Sequence, residues 1–151
     1  MKLLVSACLL GEACRYDGRD NRREDVIEFL HGCEVIPVCP EVEGGLPTPR
    51  VPAERRGNRV VCRDGADCTE AFQRGVQRCL RHLSKGDISG AILKSRSPSC
   101  AVYERYDGCF TRRLVEGKGL FAEALHERGI LLADEFSYQR VFCEGNVKEK
   151  K

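Results

Sequence analysis

The sequence has no apolar stretch long enough to cross a bilayer and no marked excess of charge of either sign. A membrane-spanning helix needs about 20 consecutive apolar residues, and no run in this chain approaches that length. Lysine and arginine total 25 against 23 aspartate and glutamate residues, and the basic residues are scattered instead of clustered. The sequence therefore contains no signal for membrane spanning or for tight binding to a nucleic-acid backbone.

A recognisable export signal is also lacking. The short apolar run at the N-terminus is followed too soon by charged residues to form a secretory signal peptide, so we expect a cytoplasmic protein. A chain of 151 residues can bury roughly 68–70% of its unfolded surface in one domain. We therefore predict a single domain over residues 1–145 and a solvated, charged tail over residues 146–151.

Ten cysteines are the unusual feature of the composition. In a reducing cytosol such thiols bind metals or act in catalysis more often than they form disulfides, and some simply pack in the core. No two of them have the close C-x2-C spacing that is typical of a structural zinc site. The question is which of these cysteines converge when the chain folds.

Strands and helices alternate along the predicted secondary structure. Short apolar runs predict strands at residues 2–7, 34–38, 88–93 and 130–133. Apolar residues at steps of three and four predict helices at about residues 24–31, 68–83, 119–128 and 134–143. Residues 39–50 contain three prolines and two glycines and are predicted to form a loop. This order is typical of an α/β domain with a mainly parallel sheet and helices on both faces.

Three cysteines follow predicted strands of this sheet. Cys8 and Cys39 come directly after the first two strands, and Cys100 lies seven residues beyond the third. Because ligands of parallel sheets bind beyond the carboxyl ends of the strands, we expect the three thiols at one edge of the sheet. Such a soft sulfur set selects zinc, copper(I) or an iron–sulfur cluster. Three widely spaced ligands fit a cubane cluster with one iron open to substrate, with zinc as the alternative.

Polar residues next to these cysteines are candidates for catalysis. Glu41 lies two residues after Cys39, where a carboxylate with a pKa near neutrality can act as a general acid or base. Ser97 and Ser99 precede Cys100, and their hydroxyls can hydrogen-bond cluster sulfur, substrate or the loop backbone.

Several motifs, taken in order, resemble the bacterial family that includes thiouracil desulfurase, over about residues 3–135. The matching segments are Leu4–Gly11, Cys14–Gly18, Pro37–Glu41, Gly44–Arg50, Lys94–Cys100 and Tyr106–Gly108. The resemblance implies a [4Fe-4S] cluster held by Cys8, Cys39 and Cys100, with Glu41 as the acid/base and Ser97 as a second polar catalytic group. It also implies an enzyme that hydrolytically removes sulfur from a thiolated pyrimidine such as thiouracil, releasing sulfide without net redox change.

The sequence departs from the family pattern at two places. Ala101 stands where glycine is usual, which predicts a restricted backbone beside Cys100. Arg112 and Arg113 stand where small residues are usual, and they motivate the hypothesis that the substrate is an anionic thionucleotide instead of a free thiolated nucleobase.

Two other functions are compatible with the residues. One is a non-catalytic iron–sulfur or zinc protein that senses redox state or sulfide, for which surplus thiols would be natural. The other is an enzyme without metal, in which Cys100 is a nucleophile assisted by Ser97.

The remaining cysteines are assigned weaker roles. Cys68 and Cys79 lie on the apolar face of a predicted helix, which predicts packing. Cys14 and Cys109 lie in predicted loops near Asp-Gly turns, and they are the first substitutes if one of the three proposed ligands is wrong. The other three show no partner pattern: Cys33, Cys62 and Cys143.

Overall fold

The computed structural model describes residues 1–144 and contains eight short strands. The strands are β1 (Lys2–Ser6), β2 (Glu34–Val38), β3 (Ala53–Arg56), β4 (Arg59–Cys62), β5 (Gly90–Leu93), β6 (Glu104–Tyr106), β7 (Leu114–Glu116) and β8 (Leu132–Asp134). The α-helices are α1 (Glu24–Phe29), α2 (Pro40–Glu43), α3 (Thr69–Leu80) and α4 (Leu120–Glu127). Short 3-10 helices cover Ala7–Leu10 and Arg81–Lys85, and a π-helical segment covers Gln139–Glu144.

A four-stranded parallel sheet with the order β2-β1-β5-β8 forms the centre of the molecule. In β1, Leu3, Leu4 and Val5 are fully buried, as expected for a parallel strand that is covered on both faces. The predicted α/β class with a mainly parallel sheet is therefore confirmed. Within residues 1–144, none of the helices combines the length and apolar character of a transmembrane segment.

Alternating side chains of the sheet supply two separate hydrophobic cores, because successive residues of a strand point to opposite faces. On one face, α3 and α4 cover the sheet. This core contains Leu4, Val76, Leu80, Ala91, Leu93, Phe121 and Leu125. On the other face, α1 and the C-terminal π-helical segment cover the sheet. This core contains Leu3, Val5, Val26, Leu30, Ile92, Ala133, Tyr138 and Phe142. The predicted helices on both faces are therefore confirmed.

The helix α2 corrects the prediction that residues 39–50 form only a loop. The chain turns into a helix at Pro40, directly after Cys39. Proline is acceptable there because the first N–H groups of a helix have no intrahelical partner. The helix lasts one turn and ends at Gly44, so the rest of the predicted loop is correct.

Two antiparallel hairpins, β3-β4 and β6-β7, were not predicted. Their strands are short and carry charged residues such as Glu54, Arg56 and Arg105, so they lack the apolar runs that identify a strand. The last helix is also shorter than predicted: Asp134 ends β8, and the π-helical segment starts only at Gln139. The predicted tail of residues 146–151 lies outside the described residues.

Two glycines bring the backbones of α2 and α3 into direct contact. A Cβ atom on Gly75 would lie 1.7 Å from the carbonyl oxygen of Pro40, and one on Gly44 would lie 2.1 Å from that of Ala71. Real Cβ atoms do not approach backbone oxygens so closely, so no other residue fits without moving a helix. These glycines therefore set the position of α2, and with it the position of Glu41.

Replacing Gly75 by alanine should destabilise the protein. Although alanine is otherwise favoured over glycine in a helix by roughly 1 kcal/mol, the clash with a backbone oxygen should lower the free energy of unfolding by about 2 kcal/mol. Urea unfolding of the variant measures this loss. Gln77→Ala, on the exposed side of α3, is the matched control and should unfold like the parent; an unchanged midpoint for Gly75→Ala would contradict the packing argument.

Candidate active site

A cavity of about 560 Å³ opens at the carboxyl edge of the parallel sheet. All five residues that the sequence proposed for the site line it: Cys8, Cys39, Glu41, Ser97 and Cys100. They come together because β2, β1 and β5 are neighbours and run in the same direction, so the segments that leave these strands meet at one edge.

Local backbone structure positions each thiol. Cys8 lies in the 3-10 helix that follows β1. This helix ends at Gly11, whose φ of 103° is a conformation that glycine adopts easily. Cys39 is the residue that precedes the first turn of α2. The N–H of Cys100 donates to Oγ of Ser97 at 3.0 Å, and only 5% of Cys100 is exposed. One proposed ligand thus follows each of three adjacent strands.

Cys14 contributes a fourth thiol to the cavity. Its thiol is in hydrogen-bonding contact with both Cys8 and Cys39, and Nη2 of Arg50 donates to its carbonyl oxygen at 2.9 Å. The sequence identified Cys14 only as a substitute, because the neighbouring Asp-Gly turn explains the motif without a site. Cys109, the other substitute, is exposed and does not line the cavity.

The thiol cluster favours the thiolate form of two of its members. A hydrogen bond from Cys14 lowers the pKa of Cys8 to about 7 and also lowers the pKa of Cys39. The same contacts raise the pKa of Cys14, which keeps its proton. Burial raises the pKa of Cys100 to about 12. Because cysteine binds metal as thiolate, Cys8 and Cys39 are disposed to act as ligands at neutral pH.

The carboxylate of Glu41 is held from both sides. Nε of Arg50 donates to its Oε1 at 3.1 Å, in an ion pair whose side chains are 8% and 15% exposed. Oγ of Ser99 donates to its Oε2 at 3.1 Å, and the hydroxyls of Ser97 and Ser99 are 3.0 Å apart. Ser99 also lies 3.6 Å from Sγ of Cys100. A hydrogen-bonded chain therefore connects the carboxylate to a thiol through Ser99.

The two serines have different positions in this network. Oγ of Ser97 accepts the N–H groups of Ser99 and Cys100 at 3.1 and 3.0 Å, so it stabilises the turn before Cys100. Ser99 is the serine that contacts Glu41 directly. The sequence could not tell the two serines apart, because both lie close to Cys100 along the chain. The conformation of the turn decides which hydroxyl points toward the carboxylate.

Basic side chains outnumber acidic ones in the walls of the cavity. They are Arg15, Arg50, Arg63, Lys94, Arg96 and Arg112. Lys94 forms an ion pair with Glu135, which is 3% exposed, at 3.1 Å. Of the two arginines that suggested an anionic substrate, Arg112 lines the cavity, whereas Arg113 does not. The excess of cations favours an anionic ligand.

Three further predictions meet a mixed outcome. Cys79 is fully buried in the core, as predicted. Cys68 does not pack on the helix face: it precedes the first turn of α3, and its Sγ lies 3.1 Å from that of Cys62, to which no role had been assigned. Ala101 is fully buried and is not among the described residues with positive φ, so its backbone does not require glycine.

The donor set of the cavity fits a [4Fe-4S] cluster. Such clusters are held by cysteine thiolates, and four thiols line a cavity that has room for an inorganic core. Within residues 1–144, no group of three or more cysteine, histidine, aspartate or glutamate side chains is arranged around one metal ion. The cysteines of a cubane bind separate irons and stand farther apart than the ligands of a single ion, so the relevant observation is their convergence on one cavity.

Comparisons with known proteins cover nearly the whole chain. The sequence model of the 2-thiouracil desulfurase family matches residues 3–136. An uncharacterised protein, YbbK of Bacillus subtilis strain 168, is 33% identical in an alignment of 143 positions that covers 88% of this chain and 95% of that protein. The solved structure of the [4Fe-4S]-dependent thiouracil desulfidase TudS matches with a TM-score of 0.89 and 38% identity, over 97% of this chain and 98% of that one.

Proposed function

The chain belongs to the 2-thiouracil desulfurase family, and on that premise we propose how its cavity removes sulfur from a thiolated nucleobase. It is an enzyme of iron–sulfur-dependent desulfuration, and its cofactor is a [4Fe-4S] cluster. The observation that carries the proposed arrangement is that cysteine thiols and the carboxylate of Glu41 line the same cavity. The cytoplasmic location stays a prediction from the sequence.

We assign Cys8, Cys39 and Cys100 as the ligands of three irons. When bound by these thiolates, the cluster would supply Lewis-acid chemistry toward the thiocarbonyl sulfur of the substrate. The lowered pKa values of Cys8 and Cys39 support their part in this assignment. Cys14 is the alternative ligand because it contacts both of them.

Glu41 is the proposed general base. It takes a proton from a water whose oxygen bonds to the thiocarbonyl carbon. The added hydroxyl then loses its proton as the carbonyl forms and the carbon–sulfur bond breaks. Both water protons end on the departing sulfur, one of them returned by Glu41, so the products are the carbonyl compound and hydrogen sulfide, with no net oxidation or reduction. The ion pair with Arg50 and the hydrogen bond from Ser99 fix both carboxylate oxygens. Ser97 acts in this scheme by positioning Ser99 and the N–H of Cys100.

The substrate that the cavity supports best is a thiolated nucleotide. Six basic side chains line the cavity against two acidic ones, Glu41 and Glu54. Four of these six cations are paired with carboxylates: Arg50 with Glu41, Arg15 with Asp17, Lys94 with Glu135 and Arg96 with Glu104. Among the described residues no carboxylate forms an ion pair with Arg63 or Arg112, so these two are the cations available to a phosphate group carried by the substrate. Arg112, at the cavity wall, is the proposed contact.

Serine variants of the cysteines test the ligand assignment. Cys8→Ser, Cys39→Ser and Cys100→Ser should each lower the iron and sulfide content and the visible absorbance of anaerobically reconstituted protein, because each removes one thiolate. Cys14→Ser should retain the cluster. Cys109→Ser, at an exposed position outside the cavity, is the control. Loss of the cluster in Cys14→Ser, with retention in one of the other three, would reassign the ligands.

The substitution Glu41→Gln tests the base. It should lower kcat for sulfide release from thiouracil roughly 10²–10⁴-fold, the usual contribution of a positioned general base, with unchanged iron content. Ser97→Ala should cause a smaller loss, because it removes only a supporting hydrogen bond. Glu127→Gln, on an exposed part of α4, should leave activity unchanged. Full sulfide release by Glu41→Gln would exclude the proposed role.

Comparison of a free thiolated base with its 5′-monophosphate tests the nucleotide proposal. Arg112→Gln should lower kcat/KM for the nucleotide about tenfold or more, as expected for the loss of a charged hydrogen bond, and should leave kcat/KM for the base unchanged. Arg113→Gln, outside the cavity lining, is the matched control. Equal turnover of base and nucleotide by the parent enzyme would remove the proposal.

A further inference from the structure

A second pair of thiols lies outside the cavity lining. Cys62 ends β4, Cys68 precedes the first turn of α3, and their sulfur atoms are 3.1 Å apart. This separation exceeds the length of a disulfide bond by only about 1 Å. Neither residue lines the cavity, so the function proposed above makes no use of the pair.

The backbone holds both thiols on one face of a tight antiparallel turn. Val61, which precedes Cys62, forms an antiparallel bridge with Asp67, which precedes Cys68. On either side, the N–H of Cys62 donates to Ala66 at 2.8 Å, and the N–H of Cys68 donates to Val60 at 3.0 Å. Because the residues that flank a bridged pair point to the same side of a ladder, the side chains of Cys62 and Cys68 lie on one face, where their sulfurs are in contact.

We propose that Cys62 and Cys68 form a reversible intramolecular disulfide by exchange with a low-molecular-weight disulfide. Both side chains are half-buried and accessible to a small reagent. One protein sulfur attacks the reagent and forms a mixed disulfide, and one reagent thiolate leaves. The other protein sulfur then attacks the mixed disulfide, forming the Cys62–Cys68 bond and releasing the second reagent thiolate. The protein loses two electrons and two protons, which convert the reagent into two thiols.

The surroundings assign the first attack to Cys62. Burial and the hydrogen bond with Cys62 raise the pKa of Cys68 to about 12, and the Sγ of Cys68 donates to the carbonyl oxygen of Val60 at 3.6 Å. Cys68 therefore keeps its proton in the reduced protein. It becomes the resolving thiol, whose proton passes to the departing thiolate.

The disulfide would connect a wall of the cavity to the helix that supports α2. In the β3-β4 hairpin, Cys62 is in register with Ala53, and the N–H of Arg63 donates to Pro52 at 2.9 Å. Ala53, Pro52 and Arg63 line the cavity. Oxidation should therefore stiffen this wall without using any proposed cluster ligand.

Peptide mapping tests the proposal directly, since Arg63 separates the two thiols into different tryptic peptides, 60–63 and 64–74. Anaerobically reconstituted protein is incubated with glutathione disulfide, alkylated and digested without reductant. We expect these two peptides to be linked, with the link reversed by dithiothreitol and the visible absorbance of the cluster unchanged. The melting temperature should rise on oxidation and return on reduction.

Variants decide between specific and indiscriminate oxidation. Cys62→Ser and Cys68→Ser should abolish both the linked peptides and the rise in melting temperature, whereas Cys109→Ser should keep both. Glutathione left attached to Cys62, a link to a cavity cysteine with loss of the cluster absorbance, or no link at all would each overturn the proposal. Because the readout is a peptide mass, the result does not depend on desulfurase activity.

Discussion

Parallel pairing of β1 with both β2 and β5 is the constraint on which the site depends. It directs three successive chain segments to one edge of the sheet, although the cysteines that they carry are far apart in sequence. The pairing is stable because each face of β1 is buried in a different hydrophobic core. The same arrangement sets where α2 begins, and the glycine contact with α3 then fixes the carboxylate of Glu41 relative to the thiols.

The site residues that can be predicted from the sequence are those that directly follow a strand with a clear apolar pattern. Cys8 and Cys39 are predictable because apolar runs end directly before them, and parallel topology brings those ends together. Cys14 and Ser99 are harder to assign, since they lie in irregular loops, the first before α1 and the second between β5 and β6. The single turn of α2 was not predicted because it begins with a proline and is followed by two glycines, and the two hairpins were not predicted because their strands carry charged residues. In each case the tertiary contacts, such as the backbone packing at Gly75, override the local pattern.

The clustering of charged side chains is a second property that the sequence alone did not predict. The chain is nearly balanced, with a formal net charge of +2, and its basic residues are dispersed in sequence. Folding nevertheless gathers six of them around one cavity. Most belong to loops between elements, where no helical or strand period reveals that they will meet. A composition that argues against binding to a long polyanion is thus compatible with a site for a small one.

The wide separation of the thiols along the chain has a consequence for how the enzyme matures. In a zinc finger the ligands are close neighbours, so metal capture and folding proceed together. Here no short fragment contains the proposed set of Cys8, Cys39 and Cys100, and the set is complete only after β2, β1 and β5 have paired. The complete ligand set therefore exists only in the native topology, which the two apolar cores stabilise, so we expect the cluster to bind the folded chain and not a short unfolded segment.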